Sequence, residues 1–470
     1  MRDFEVTMQD VPATVATAFE SIEGTVPADL AGTLYRNGPG AFSAGADAFH
    51  LLDAHAFVAA VTFDGGRASF RGRTLDTPLR ASELKAGKQL QRRIFTNPKG
   101  KRHLFDVTLP NLAAHDIYVW GGTPVACDAP GHYVLDPETF AVRGPAPLEA
   151  VRPNKQATFC PMPRVDTATG RLVIYTVDPG IVRNDLVEFV EIDKAWNVVH
   201  RIKHRLPGKA ILLHDLAVTA THYVVPEFAH LDVPAVLWGK KPIYACTGFP
   251  AGYKARIFVL PRTPGAPARH VELAPGEQVF HLFNAYDDAG AVVVDAIVYS
   301  SAVNFTAFAP PYQREGVGSE GAHPVRFRLD LATGAVTRTD GTVRVDSPDV
   351  NPAYHGRPYR FGYAAAKTSV GDEPEPEGYF WYHGCTKIDL ETGRDETWDA
   401  GPRSFCSPAV FAPRVAATSE DDGYVLAWIT DAETRRSALV IVDARAMAAG
   451  PVATLWLPHA LPPVSHGLFV

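Results

Sequence analysis

Cysteine is scarce: five residues in 470, Cys127, Cys160, Cys246, Cys385 and Cys406. They are odd in number, far apart and never in a C-x-x-C pair, which excludes a disulfide framework and a structural zinc knot and fits a reducing, cytoplasmic setting. Positive charge is not in surplus either. With 45 Lys and Arg against 52 Asp and Glu, the formal charge is −7. No concentrated basic field is available to replace counterions on phosphate, so a nucleic-acid partner is not expected. No uninterrupted apolar run reaches membrane-spanning length, and the opening MRDFEVTMQD carries acid where a signal peptide needs base followed by apolar residues. A soluble protein is expected. Nothing in the sequence points to an oligomeric state.

Amphipathic helical stretches are also nearly missing, and hairpins take their place. The segments VLDPETFAV around Asp136, RVDTATGRLVIY around Asp166, RLDLATGAVTR around Asp330 and KIDLETGRDETW around Asp389 each join two short apolar or alternating runs through a polar turn. Asp and Thr side chains bond nearby backbone groups and Gly takes positive φ, so these are hairpin turns between antiparallel strands. A degenerate copy surrounds Asp443. Hairpins recurring over the whole length point to a β-propeller, with a sandwich as the alternative, and residues 1–470 are read as one closed all-β domain. Longer stretches without such turns, 227–247 and 305–324, are excursions from one face, where loops build sites.

Of seventeen histidines, three stand in a telling local context. His214 lies in AILLHDLAVTATHYVVPE, between an apolar strand that enters and one that leaves. His281 follows a short apolar strand in EQVFHLFNAYDD, and His466 lies in the closing LPPVSHGLFV. Imidazoles projected from separate strands toward one axis make a rigid pocket for a borderline divalent metal with open positions.

With these residues the chain resembles the carotenoid cleavage oxygenases. The resemblance is carried by GTVPADLAGTLYRNGPG, GRTLDTPLRASELKAGK, HDLAVT, FHLFNAYDD, DSPDVNPAYHGRPYRFGYA and SHGLFV, in the family's order from about Gly24 to the end. It implies a seven-bladed β-propeller with a dome of loops and short helices over one face. It also implies Fe(II) on four axial histidines, some backed by glutamates, and cleavage of a conjugated double bond with O2 in carotenoids, apocarotenoids or stilbenes.

Carried over residue by residue, His214, His281 and His466 match the second, third and fourth histidines of the family. The first falls in CPMPRVD, where Met162 stands at the ligand position. Three consequences are open: a three-histidine site with weaker iron, a mixed site using the thiolate of Cys160, or loss of the metal with the pocket turned to other use. Asp128 and Asp346 stand where the family has glutamates, and the third glutamate is replaced near Ser407 or Pro408. The family's acidic block near the N-terminus has become LLDAHAF. The lysine that meets a phenol in the stilbene-cleaving branch is Cys127 here, so an apolar polyene is at least as good a candidate substrate.

Phe228, Trp238, Phe305, Phe308 and Tyr312 are candidate walls of a substrate tunnel. VLWGKKPIY, with Lys240 and Lys241, is a candidate membrane contact. The expected function is a metal-dependent oxygenase taking a hydrophobic substrate and O2. The alternatives are a non-oxidative isomerase, hydratase or cyclase, and a non-catalytic ligand-binding propeller.

Overall fold

The computed structural model describes the whole chain except residues 1–2, 46, 101, 153, 155–156, 179–183, 302–321, 369–381 and 464. Seven antiparallel sheets of four to six strands follow one another along the sequence as blades of a propeller. The blade number implied by the family resemblance is the one observed.

Both ends of the chain close the ring. The last strand, His466–Phe469, is the innermost strand of blade 1, paired with Gly32–Ala41. The early strand Ser21–Gly24 is the outermost of blade 7, paired with Pro451–Trp456. Closure of this kind leaves no gap between first and last blades.

The Asp-x-x-Thr segments do form turns. Asp136 Oδ1 accepts from the Thr139 N–H at 2.8 Å and from its hydroxyl at 2.9 Å, and Asp330 does the same with Thr333. They are not equivalent positions, however. Those at Asp136, Asp330 and Asp389 join the two outer strands of blades 2, 5 and 6, whereas Asp166 joins the inner two of blade 3. A turn of the same chemistry at Asp431 and Thr434 carries no glycine.

Apolar clusters lie between adjacent blades. One unites Leu34, Phe57 and Val61 of blade 1 with Leu426, Leu439 and Leu455 of blade 7, and another joins Val259 and Val271 of blade 4 to Val292 and Phe327 of blade 5. The middle strands are therefore buried on both faces, which is why Ala291–Tyr299 reads AVVVDAIVY with hardly any alternation.

The innermost strands, by contrast, are broken where they pass the axis. Blade 3 has Thr158–Phe159 and Arg164–Asp166 with CPMP between them. Blade 4 has Ile211–Leu213 and Ala217–Val218, with His214 in the gap. Blades 5 and 6 carry register shifts at Val279 to Asn284 and Asp346 to Asp349, and blade 7 breaks between Cys406 and Val410. A broken or bulged strand re-aims its side chains, and here the re-aiming is toward the axis.

Candidate metal centre on the propeller axis

Four imidazoles meet there in cyclic order. His115–His214 ring centroids are 4.8 Å apart, His214–His281 5.1 Å, His281–His466 5.6 Å and His466–His115 5.2 Å. They come from blades 2, 4, 5 and 1. His214, His281 and His466 are the three singled out by sequence; His115 was not.

His281 is the most firmly held. Its Nδ1 lies 2.8 Å from Asp346 Oδ1, and its Nε2 is buried with no partner. The shorter carboxylate thus reaches the imidazole directly. Burial works against charge on His281, but Asp346 outweighs it and holds the imidazole above its ordinary value. The other three are shifted the opposite way. Burial, with the neighbouring histidines adding to it, pushes His115 down to about 3 and leaves His214 and His466 well below the usual range. Neutral imidazole is the form that ligates a metal.

Met162 is buried and lines one small polar cavity together with His281 and His466. The same cavity takes in Asp116, Arg164, Asp215 and Asp349. Arg164 pairs with Asp215 at 2.9 Å, and Asp215 also accepts from the Leu282 N–H at 2.7 Å, behind His281. Burial raises Asp116 to about 7 and Asp349 to about 6, while the Arg164 charge draws both back. This wall suits water and charge. It does not suit a polyene.

An apolar cluster packs against His214 outside that cavity. Phe280 packs on His214 at 4.0 Å between centroids and on Phe228 at 4.4 Å. Both belong to a cluster reaching Phe95 and Tyr244 in the dome, and none of these four lines the polar cavity.

Other candidate residues lie apart from the rings. Cys160 is buried in the apolar cluster of blades 2 to 4, where burial raises its thiol far above the ordinary value; the sulfur is held in core, away from the cavity. Two residues' separation on a strand does not share a face here, because CPMP interrupts the strand. Asp128, raised to about 6 by burial while the nearby backbone of Ala129 and 112–114 draws it back, accepts from the Ala129 N–H at 2.7 Å and is not bonded to an imidazole. Ser407 Oγ turns to the Trp428 N–H at 2.9 Å. Trp238, expected in a tunnel, is 58% exposed at the end of the helix Val233–Trp238, with the Arg102 guanidinium 3.6 Å over its ring. Phe305, Phe308 and Tyr312 lie outside the described residues.

The altered acidic block, LLDAHAF, anchors the dome. Glu83, on the helix Pro78–Ala86, meets His55 Nε2 at 2.8 Å and pairs with buried Arg93, which also bonds the Asp53 carbonyl.

A closed seven-bladed ring that gathers four imidazoles on its axis defines a propeller with one buried, histidine-lined axial site. The family model described as "Retinal pigment epithelial membrane protein" matches residues 8–470. The chain belongs to this family, that of the carotenoid cleavage oxygenases. It is 31% identical over 462 residues to the apocarotenoid-15,15'-oxygenase of Synechocystis sp., covering 95% of this chain and 92% of that one. It is 28% identical to the isoeugenol monooxygenase of Pseudomonas nitroreducens, covering 96% and 94%, and 26% identical to the lignostilbene-alpha,beta-dioxygenase isozyme III of Sphingomonas paucimobilis, covering 95% and 92%. The solved structure of cobalt-substituted Synechocystis apocarotenoid oxygenase superimposes with a TM-score of 0.87 at 28% identity, over 100% of this chain and 98% of that one.

Proposed function

We propose that this protein is a metal-dependent oxygenase that cleaves a conjugated C=C bond of an apolar carotenoid-, apocarotenoid- or stilbene-like substrate with O2. The observation that carries the reading is the closed circuit of imidazoles on the axis with Phe280 and Phe228 packed against one of them. Relatives named for apocarotenoid, isoeugenol and lignostilbene oxidation support the same class.

The residues fit Fe(II). Three buried ring nitrogens, His115 Nε2, His214 Nδ1 and His281 Nε2, have no hydrogen-bond partner, a costly state unless something takes their lone pairs. Among the described residues no three His, Cys, Asp or Glu side chains already form a ready metal set. The rings are gathered but their donor atoms are not all turned to one point, which leaves the last adjustment to side-chain rotation. When bound, the metal supplies activation of O2 beside the alkene.

The chain's own groups do the rest. Asp346 fixes the tautomer of His281, leaving Nε2 free to ligate. Phe280 and Phe228 offer flat apolar surface for a conjugated chain and keep water from that side. Arg164 with Asp215 and Asp349 lines the polar side. Cleavage places one oxygen of O2 on each former alkene carbon, giving two carbonyl products.

A membrane contact is part of the proposal. Phe105 is 72% exposed and sits beside Trp238 through the hydrogen bonds Phe105 N–H to Leu237 O, 2.8 Å, and His103 N–H to Gly239 O, 3.0 Å. A Cβ at Gly239 would stand 2.0 Å from His103 O, so only glycine permits that approach, and its φ of +65° asks for glycine too. Leu104 is exposed in the same loop, and Lys240 and Lys241 follow Gly239. Apolar tips flanked by base suit an anionic bilayer surface that holds an apolar substrate. Among the described residues no helix is long and apolar enough to cross a membrane. The cytoplasmic setting is proposed too, supported by five cysteines that are all buried and free.

The test is iron content of the purified protein together with O2 consumption on apocarotenoid and stilbene panels. Stoichiometric iron and uptake on at least one conjugated alkene are expected. Iron without uptake on any of them would remove the oxidative reading in favour of a non-oxidative one.

A further inference from the structure

We infer that His115 replaces the histidine lost at Met162, so that the metal centre is a rearranged four-imidazole set of His115, His214, His281 and His466. The inference rests on the reading of the axis as a metal centre and adds to it a ligand from a different blade.

The geometry is the first argument. Metal–imidazole bonds of about 2.0–2.1 Å, at bond angles near 90–120°, separate neighbouring ring centroids by roughly 4.6–5.6 Å. The four observed separations run from 4.8 to 5.6 Å and close into a ring. Without His115 that ring has a gap between His466 and His214, on the side of blades 2 and 3. Met162 belongs to blade 3, and His115 fills the gap from blade 2. Its Nε2 is buried with no partner, like that of His281.

The local chain is the second argument. Sequence places His-Asp at the entrance to an inner strand twice, in LAAHDIYV and in LLHDLAV. The two turns have the same chemistry: Asp116 Oδ1 accepts from the Ile117 N–H at 2.8 Å, and Asp215 Oδ1 from the Leu216 N–H at 2.7 Å. Both aspartates line the polar cavity. His115 therefore stands to its strand as His214 stands to its own.

The third argument is how rigidly the His115 loop is held. Fully buried Asn37 donates through Nδ2 to Ala113 O and Asp116 O, both at 2.7 Å. Asn37 is also the register partner of His466. One side chain thus sets the backbone of His115 against that of His466, 5.2 Å away ring to ring. Within the loop the Ala113 N–H donates to Asn111 Oδ1 at 3.1 Å and Ala113 accepts a φ of +55°, while the Asp128 carboxylate faces the backbone of 112–114.

The experiment uses the full chain, stripped of metal and reloaded with Co(II) without O2. X-ray absorption on the native protein is expected to count four imidazoles around cobalt; three would overturn the inference. His115→Ala is expected to weaken Co(II) binding by more than about 100-fold in a chelator competition, since losing a ligand exceeds the 10–100-fold cost of losing an outer partner. Native-like affinity and an unchanged cobalt spectrum in that variant would overturn it. Metal-free melting curves check that the variant folds, and if it does not, the imidazole count on the native protein decides. His281→Ala separates the two levels: if it too binds cobalt like the native chain, or if the native chain binds none, the metal reading itself fails.

Discussion

At the scale of single residues, the centre depends on what stands behind each imidazole. Among the described residues, Asp346 is the carboxylate bonded directly to a ring of the set, at 2.8 Å from His281 Nδ1. Asp346→Ala is expected to lower metal affinity by about 10–100-fold, read by chelator competition, with folding retained. Met162→His is expected to change that affinity by less than about tenfold, because His115 already completes the ring; a larger gain in the same titration would mean that the place at Met162 is still vacant.

His214 and His281 were legible in sequence because each follows an apolar strand, and His466 because it lies in the closing SHGLFV that carries the family resemblance. His115 was not, since its context, LPNLAAHDIYVW, lacks an apolar strand entering from the N-terminal side. The signal available was the repeated His-Asp pair. Trp238 shows the opposite limit: an apolar residue in a long loop looks the same in sequence whether it faces a tunnel or solvent.

At the scale of elements, blades are tied to one another by ionic links as well as by apolar packing. Arg262, just past the blade 4 strand Arg256–Pro261, meets Asp166 at 2.8 Å and Glu191 at 2.6 Å, both in blade 3. Burial would raise both carboxyls, but for Asp166 the hydrogen bonds from Thr169 and Arg262 prevail, and for Glu191 those from Tyr223, Arg171 and Arg262. Both are held below their ordinary values. Groups depressed in the folded state contribute stability above the ordinary carboxylate pKa of about 4, and that stability is lost as pH falls through the depressed values.

Arg262→Met should therefore destabilise the protein by about 3 kcal/mol at neutral pH, with the gap to the native protein narrowing below about pH 4 in denaturant titrations. The Asp-x-x-Thr hairpins behind these strands could be read from sequence because Asp and Thr satisfy the turn locally. Their different places within the blades could not, because strand order in a blade is set by long-range pairing.

At the scale of the whole molecule, the propeller is closed by its last strand, which is also where His466 sits. Deleting residues 466–470 would unpair Gly32–Ala41 along the axis and remove one imidazole, so both a lower melting temperature and loss of metal are expected from the one truncation. The exposed loop and helix at Phe105 and Trp238 make a separate prediction. Replacing both by Ser should reduce sedimentation with anionic liposomes severalfold while leaving the melting temperature unchanged, because neither side chain is in the core.

Seven blades agree with the family resemblance. The packing around Phe280 was not legible, since it depends on dome residues, such as Phe95 and Tyr244, that meet only in three dimensions.

The function of the protein turns on whether the axial imidazoles serve O2-dependent cleavage. Mass analysis of the products formed from an apocarotenoid under air and under argon tests this most directly. Two carbonyl fragments whose combined composition equals substrate plus one O2, formed only in air, are predicted. An intact isomer or hydrate, formed equally well under argon, would contradict it.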